Sequence, residues 1–187
     1  MTVPRAWFPR HYAETVQRLR VSTGFLLAAA FLYLAQPSKL SLAAGLPVAA
    51  LGLLLRSWAA GHLAKNETLT TGGPFAFTRN PLYLGTLVTA LGFAAAAQSA
   101  ALVVLFAAAF LLIYLPVIER EQEHLIHLFP GYPAYAAQVP MLLPRLTPYG
   151  KPGGFRFSVW RRNKEYKAAA GFALVTAYLV WRAGLFS

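Results

Sequence analysis

The sequence contains no cysteine and little charge: 12% of its 187 residues are Asp, Glu, Lys or Arg, and only six are acidic. Without cysteine the chain has no disulfide framework, no thiol chemistry and no thiolate metal site. A soluble domain is about 25% charged, so this chain has fewer charged residues than a soluble domain, and 57% of its residues are apolar. The opening stretch, "MTVPRAWFPRHYAETVQRLR", has no small-residue cleavage site after its basic region and predicts a retained arm. Composition therefore predicts a membrane protein.

Apolar segments of about 20 residues are long enough to span a bilayer as helices. Five segments reach or approach that length: residues 19–36, 40–63, 82–97, 99–118 and 168–186. The short polar connections "QPSK" and "QS" predict tight hairpins between the first and second and between the third and fourth segments. The sequence thus predicts an all-α, polytopic membrane helix bundle. It forms a single domain over residues 1–187, with a cytoplasmic arm at 1–18 and a last transmembrane helix at 168–186.

Basic residues set the orientation, because they concentrate in cytoplasmic loops. Apart from Arg56 in the second span, only Lys39 and Arg182 are assigned to the side opposite the arm. The arm and the polar loops are therefore predicted to be cytoplasmic, and compact size without organellar signals favours a bacterial inner membrane. The net charge of +11 predicts contact with anionic lipids; no nucleic-acid module is apparent. Arg56, inside the second span, is expected to snorkel or to line a polar cavity.

Small residues recur at helical spacing on the second and third spans. They are Gly45, Ala49 and Gly52 on one and Gly85, Thr89 and Gly92 on the other. Such stripes let two membrane helices approach closely. They predict packing between these spans.

Polar and aromatic residues collect where the third span begins, in "TTGGPFAFTRNPLYLG". Pro81 suits the first helical position, and Asn80 before it suits an N-cap. A helix N-terminus with Arg79 nearby offers N–H groups and positive charge to an anion. A turn with membrane-entry anchors explains the same residues, so both interpretations stay open at this point.

The fourth span continues into the polar stretch "VIEREQEHLIHLF". Its acids and histidines are Glu119, Glu121, Glu123, His124 and His127. Glu121 aligns with Val117 and Leu125 at a spacing of four, so at least this acid borders an apolar seam. No two histidines lie four apart, and the sequence predicts no metal site.

Together the two segments resemble the isoprenylcysteine carboxyl methyltransferase family, whose superfamily includes phospholipid N-methyltransferase-like membrane enzymes. The family pattern "G-x-Y-x-x-x-R-H-P-x-Y-x-G" corresponds to "GPFAFTRNPLYLG". The later pattern, paired acids followed by "F-G-x-x-Y-x-x-Y" and a final V-P…P, corresponds to "EQEHLIHLFPGYPAYAAQVPMLLP". The resemblance covers residues 58–144, with a hairpin between the two parts.

The resemblance implies a cofactor, S-adenosylmethionine, at the cytoplasmic face and a lipophilic substrate that enters from the bilayer. The implied cofactor-binding residues are His62, Glu67, Thr68, Leu69, Thr70, Phe75, Asn80, Pro81, Leu82, Tyr83 and Glu121; the implied catalytic residues are Arg79 and Glu121. In this assignment Arg79 faces the cofactor carboxylate, Glu121 faces a cationic group, and Phe75 or Tyr83 packs the adenine.

Three positions depart from the family pattern. Asn80 stands where the family has His, Gln122 replaces the second of two acids, and Val117 stands where eukaryotic members have an Arg that holds a substrate carboxylate. The last change argues against a prenylcysteine substrate.

The leading hypothesis is an S-adenosylmethionine-dependent methyltransferase that acts on a lipophilic membrane-embedded acceptor, by carboxyl O-methylation or lipid amine N-methylation. The alternatives are an NADPH-dependent membrane reductase of the steroid-reductase type and a non-catalytic lipid-binding scaffold. Loss of function on mutation of Glu121 would separate the enzyme from the scaffold.

Overall fold

A computed structural model describes residues 7–150 and 153–185 of the chain. The described residues form helices and no β-strand, which confirms the all-α prediction. The helices are α1 (Arg10–Leu34), α2 (Lys39–Ala60), α3 (Pro81–Ala96), α4 (Ala100–Ala109), α5 (Leu115–Leu128), α6 (Tyr132–Gln138), α7 (Phe157–Arg162) and α8 (Tyr166–Arg182). The start of the predicted arm, residues 1–6, and the end of the fifth predicted span, residue 186, lie outside the described residues.

Each predicted span falls on a helix, but the helices differ in length and apolarity. Among the described residues, two are long and apolar enough to cross a membrane: Lys39–Ala60 and Ala100–Leu128, the second comprising α4, a π turn and α5. Val21–Leu34 and Pro81–Ala96 are apolar but shorter. Residues 10–18 of the predicted arm form the first turns of α1. By length and composition, these two helices indicate association with a membrane. The prediction of five spans stays a prediction.

The small-residue stripes of α2 and α3 face each other, as predicted. A Cβ atom placed on Gly52 would lie 2.6 Å from the Gly85 carbonyl oxygen, and one on Gly45 would lie 2.6 Å from the Gly92 carbonyl oxygen. Only residues without side chains permit such an approach. This contact fixes the position of α3, and with it the residues at its first turn.

The two predicted hairpin connections lie together at one end of the molecule. α3 and α4 pack as the predicted hairpin, but the prediction was wrong for the first pair, because α1 packs against α4 and α5 instead of α2. The Gln36 N–H donates to the Ala97 carbonyl at 2.9 Å, and the Ser41 hydroxyl donates to the Ala96 carbonyl at 2.8 Å. Ser38 and Ser41 also form a capping box at the start of α2. The opposite end of the bundle, here called the loop face, carries residues 61–80, 119–150 and 153–165.

A π turn at Phe110–Tyr114 joins α4 to α5 within one continuous helix. Pro116 follows at the second residue of α5. In a regular α-helix residue 116 would donate to the carbonyl of residue 112, but proline has no N–H and its ring crowds that carbonyl. Pro116 therefore indicates, from the sequence alone, that the helix is irregular at this point.

The chain after α6 returns along the loop that precedes α3. Backbone N–H groups of Arg79 and Tyr149 donate to the carbonyls of Pro140 and Ala76, each at 2.9 Å. The Thr78 hydroxyl contacts the same returning segment. The two quoted motif stretches are thus bonded to each other through their main chains.

Arg56 does not snorkel to the surface. Its Nε donates to Glu165 Oε1 at 2.8 Å and its Nη2 donates to Oε2 at 3.2 Å. Arg56 also donates to the Thr86 hydroxyl and, at 3.4 Å, to the Leu82 carbonyl. The second interpretation, a polar surrounding inside the bundle, is the one that the structure supports.

Candidate functional site

Side chains from the start of α3 contact α5 at two neighbouring positions. The Tyr83 hydroxyl donates to Glu121 Oε1 at 2.9 Å, and Arg79 Nη1 donates to Gln122 Oε1 at 2.8 Å. Adjacent residues on a helix point about 100° apart, so α5 presents Glu121 at the surface and Gln122 to the interior. Arg79 and Glu121, the two predicted catalytic residues, therefore both lie at the contact between α3 and α5. Arg79 bonds to Gln122, and Glu121 bonds to Tyr83.

The Arg79–Gln122 contact leaves two donors unused. Arginine has no acceptor, so Gln122 must turn its oxygen toward Arg79 and its amide nitrogen away. Among the described residues, Gln122 Nε2 and Arg79 Nε are buried with no hydrogen-bond acceptor. Buried donors without a partner are costly. A ligand with acceptor oxygens, such as a carboxylate, matches this unsatisfied pair.

Asn80 and Pro81 begin α3 as predicted, but Asn80 does not cap it. Pro81 is the first helical residue, and the Asn80 side chain makes no capping bond. Instead, Asn80 Nδ2 donates to the Met141 carbonyl at 2.9 Å. The predicted capping role was wrong because a segment about 60 residues further along the chain takes the amide. Asn80 ties the start of α3 to the returning segment.

Buried aromatic residues from α6 lie beneath this contact. The Tyr135 hydroxyl donates to the Phe75 carbonyl at 2.7 Å, and Tyr132 and Tyr135 form a cluster with Val139. Burial raises the pKa of Tyr135. Burial also raises the pKa of Tyr132, and the Arg79 guanidinium partly opposes that rise. Both phenols therefore stay neutral at physiological pH and hold the loop as hydrogen-bonding, packed groups.

The predicted linker residues lie on the loop face with different partners. The carboxylate of Glu67 accepts Arg162 Nη1 at 2.8 Å, with the two side chains 56% and 53% exposed. Thr68 is exposed, and the Thr70 hydroxyl accepts the Ala64 N–H at 3.3 Å. Leu69 packs against the tyrosine cluster. Of these four residues, only Leu69 packs against the tyrosine cluster, which bonds to the Phe75 carbonyl through Tyr135.

His62 holds the end of α2 against two loops. Its Nδ1 lies 2.8 Å from the Trp58 carbonyl oxygen and its Nε2 lies 2.9 Å from that of Gly153. Gly73, at φ +58°, packs on the ring, where an added Cβ would lie 2.6 Å from Nε2. Such a φ is strained for other residues. His62 is thus buried, and both of its ring nitrogens already have carbonyl partners. This supports a structural role for His62 in holding the loop.

An open groove of about 370 Å³ lies elsewhere, between the first turns of α1 and one face of α5. Its lining includes Arg10, Glu14, Glu119, Glu123 and His127. None of the predicted cofactor-binding residues lines it. In the part of the chain that the structure describes, no group of three or more His, Asp or Glu side chains is arranged to hold a metal ion.

The fold and these contacts define a helical, membrane-associated protein whose loop face joins two motif stretches of methyltransferase type. The phospholipid methyltransferase family model matches residues 40–131. Residues 40–131 are thus similar to the phospholipid methyltransferase family, and this match confirms the resemblance found in the motifs. The segment includes α2, α3, α4, α5 and every predicted site residue.

Two curated relatives carry names from metal resistance. The chain is 38% identical over 114 residues to the cobalt-zinc-cadmium resistance protein CzcN of Cupriavidus metallidurans. The matched region covers 60% of this chain and 53% of that protein. The chain is 36% identical over 112 residues to the nickel-cobalt-cadmium resistance protein NccN of Alcaligenes xylosoxydans xylosoxydans, covering 56% and 52%. The chain thus spans about half the length of these relatives. No solved structure matches it.

Proposed function

We propose that the protein is an S-adenosylmethionine-dependent methyltransferase that acts on a lipophilic acceptor in the membrane. The observation that supports it most is the pairing of Tyr83 with Glu121 and of Arg79 with Gln122 inside the family-matched segment. This places a carboxylate and a cation with spare donors side by side. The cofactor carries the complementary groups, a carboxylate and two positive charges.

The residues present fit the cofactor group by group. Arg79 Nε and Gln122 Nε2 are buried donors that the carboxylate would satisfy. Glu121 is exposed and would face the ammonium or sulfonium. Phe75 is only 7% exposed, so its ring has little free area for the adenine. Tyr83, whose ring meets that of Tyr114 edge-on at a centroid distance of 6.1 Å, is the more suitable aromatic partner.

S-adenosylmethionine, when bound, supplies an electrophilic methyl group on its sulfonium. In-line displacement needs orientation and exclusion of water more than acid–base chemistry, and the chain's own task is to provide both. Arg79, Gln122 and Glu121 orient the charged end, while the cluster under Phe75 keeps the loop closed to water. A carboxylate acceptor would need no base. An amine acceptor would have to release a proton, and Glu121 would be the group to accept it.

The proposal includes a membrane arrangement. We infer five spans, with α1, α3 and α8 crossing beside the two long apolar helices, and a cytoplasmic loop face in a bacterial inner membrane. The excess of basic residues on that face supports this orientation and contact with anionic lipids. The acceptor would reach the loop face from within the bilayer.

Cofactor binding tests the proposal directly. Titration of detergent-purified protein with S-adenosylmethionine and its demethylated product should show binding by the wild type. Glu121→Gln and Tyr83→Phe should each weaken it at least about tenfold, roughly 1.4 kcal/mol. Glu123→Gln, on the same helix but in the α1–α5 groove, is the matched control and should bind as the wild type does.

Failure of the folded wild-type protein to bind either ligand would overturn the proposal, and NADPH would be the next ligand to titrate. The relatives' names suggest a cellular assay as well. We expect expression of the chain to alter resistance to cobalt or cadmium and Glu121→Gln to abolish that effect. An unaltered effect in Glu121→Gln would favour the non-catalytic scaffold.

A further inference from the structure

Pro116 leaves one carbonyl of a membrane-crossing helix without its usual donor. In a regular helix the Leu112 carbonyl would accept the N–H of residue 116, and proline has none. Within a bilayer no water is available to take that donor's place, so an unpaired backbone carbonyl is costly. The Tyr12 hydroxyl of α1 donates to the Leu112 carbonyl at 2.7 Å. Tyr12 thus supplies a side-chain donor to a carbonyl that Pro116 would leave unpaired in a regular α-helix.

Further contacts hold the same two helices together beside that bond. The backbone N–H groups of Trp7 and Phe8 donate to the Glu119 carboxylate, at 3.1 to 3.3 Å. Glu14 lies 3.4 Å from Arg120. Residues 7–14, immediately before and in the first turns of α1, therefore contact the π turn and α5 between Leu112 and Arg120.

The π turn determines which residues of α5 point toward α3. A π turn accommodates about one residue more than an α turn. If Phe110–Tyr114 became α-helical while α4 stayed in place, α5 would rotate by about 100°. Glu121 and Gln122 would then turn away from Tyr83 and Arg79. The same turn also supplies Tyr114, whose ring contacts Tyr83.

We propose that Tyr12 is a positioning residue: by bonding to the Leu112 carbonyl it stabilises the π turn and so brings Glu121 to Tyr83. Tyr12 lies outside residues 40–131, the segment that the family model matches. The consequence for cofactor binding rests on the proposed function. The geometrical effect on α5 does not, because it concerns only contacts within the chain.

A spectroscopic test reads that geometry without any ligand. 3-Fluorotyrosine placed at position 83 of the full-length protein gives a fluorine resonance that reports on the bond to Glu121. Tyr12→Phe should shift this resonance toward the value found in Glu121→Gln. The matched control is Tyr178→Phe, which removes a hydroxyl that donates to the Leu32 carbonyl at 2.7 Å, on α8 rather than near the site. The control should leave the resonance unchanged.

A wild-type resonance in Tyr12→Phe would overturn the inference, whatever the cofactor titrations show. If the geometry shifts as expected, Tyr12→Phe should also weaken S-adenosylmethionine binding by about tenfold and Tyr178→Phe should not. Absence of cofactor binding in the wild type would sink the proposed function while leaving the fluorine result valid. As a second variant, Pro116→Ala returns an N–H to the Leu112 carbonyl. In that background Tyr12→Phe should lower the melting temperature less than it does alone, and an equal loss would contradict the role given to Pro116.

Discussion

At the scale of single residues, Gln122 decides the character of the site. An acid at this position would compensate the charge of Arg79, whereas the amide of Gln122 brings no negative charge and leaves both side chains with a spare donor. The sequence alone marked Gln122 as a lost acid, because the motif is defined by paired carboxylates. Its use as the partner of Arg79 depends on helix rotation, which adjacent positions in a sequence do not reveal.

The Tyr135 hydroxyl provides a test at the same scale. Tyr135→Phe leaves the Phe75 carbonyl without its donor and should lower the free energy of unfolding by about 1–3 kcal/mol at pH 8. Burial raises the pKa of Tyr135 above the ordinary 10.0, so the folded state holds the proton more tightly. Wild-type stability is therefore retained below pH 10 and falls as the pH rises above it.

Denaturation at pH 8 and at pH 11 measures this effect. The stability gap between wild type and Tyr135→Phe should narrow at pH 11, since only the wild type loses the contribution of that phenol. Tyr33→Phe, at a side chain that is 84% exposed, should show no gap at either pH. A gap that stayed constant between the two pH values would contradict the role assigned to burial.

At the scale of helices, the sequence predicted more than it did for single contacts. Apolar length and the polar breaks "QPSK" and "QS" are local, and the helices and their short connections followed from them. The α2–α3 packing followed from the small-residue stripes, whereas the packing of α1 on α4 and α5 was not predicted. The π turn was not predicted, although Pro116 was visible. A proline shows that a helix is irregular, but the choice between a kink and a π turn depends on which neighbour satisfies the free carbonyl. Here that neighbour is Tyr12, on another helix.

The α2–α3 contact gives a second prediction. Gly52→Ala would place a methyl group 2.6 Å from the Gly85 carbonyl oxygen and force the helices apart. We expect a loss of about 1–3 kcal/mol from such overpacking. Gly171→Ala on α8 is the control, because its new methyl group would meet nothing within 4 Å, and it should be neutral or stabilising by up to about 1 kcal/mol. Thermal unfolding of both variants makes the comparison, and equal melting temperatures would argue against the close approach.

At the scale of the whole molecule, sequence patterns grouped the candidate site residues but did not reveal which side chains bond to each other. Tyr83 and Glu121 are 38 positions apart, and Arg79 and Gln122 are 43 apart. The motif resemblance grouped these residues because related proteins bring them together. It gave no indication that Asn80 would bond to Met141 or that Arg56 would pair with Glu165. Such pairs depend on loops folding back over the bundle.

The two ion pairs Arg56–Glu165 and Glu67–Arg162 are expected to contribute very different amounts to the free energy of unfolding. Glu165 is 5% exposed, so Glu165→Gln leaves Arg56 without its counter-charge and should cost about 3–5 kcal/mol. Glu67 is 56% exposed, so Glu67→Gln, which breaks the bond to Arg162, should cost no more than about 1 kcal/mol. Unfolding of the two single variants by detergent or heat compares them. Equal losses would show that burial of the Arg56 pair is not what makes it matter.

The Arg56–Glu165 pair also has a consequence for biogenesis. The two residues are separated by 109 positions, so a ribosome adding about 5–20 residues per second makes the acid on the order of 5–20 s after the base. During that interval α2 holds an unbalanced positive charge. We therefore expect the final packing of α2 to be completed only after Glu165 has been synthesised. A truncated product that ends before Glu165 would expose this charge permanently and be a substrate for membrane quality-control proteases.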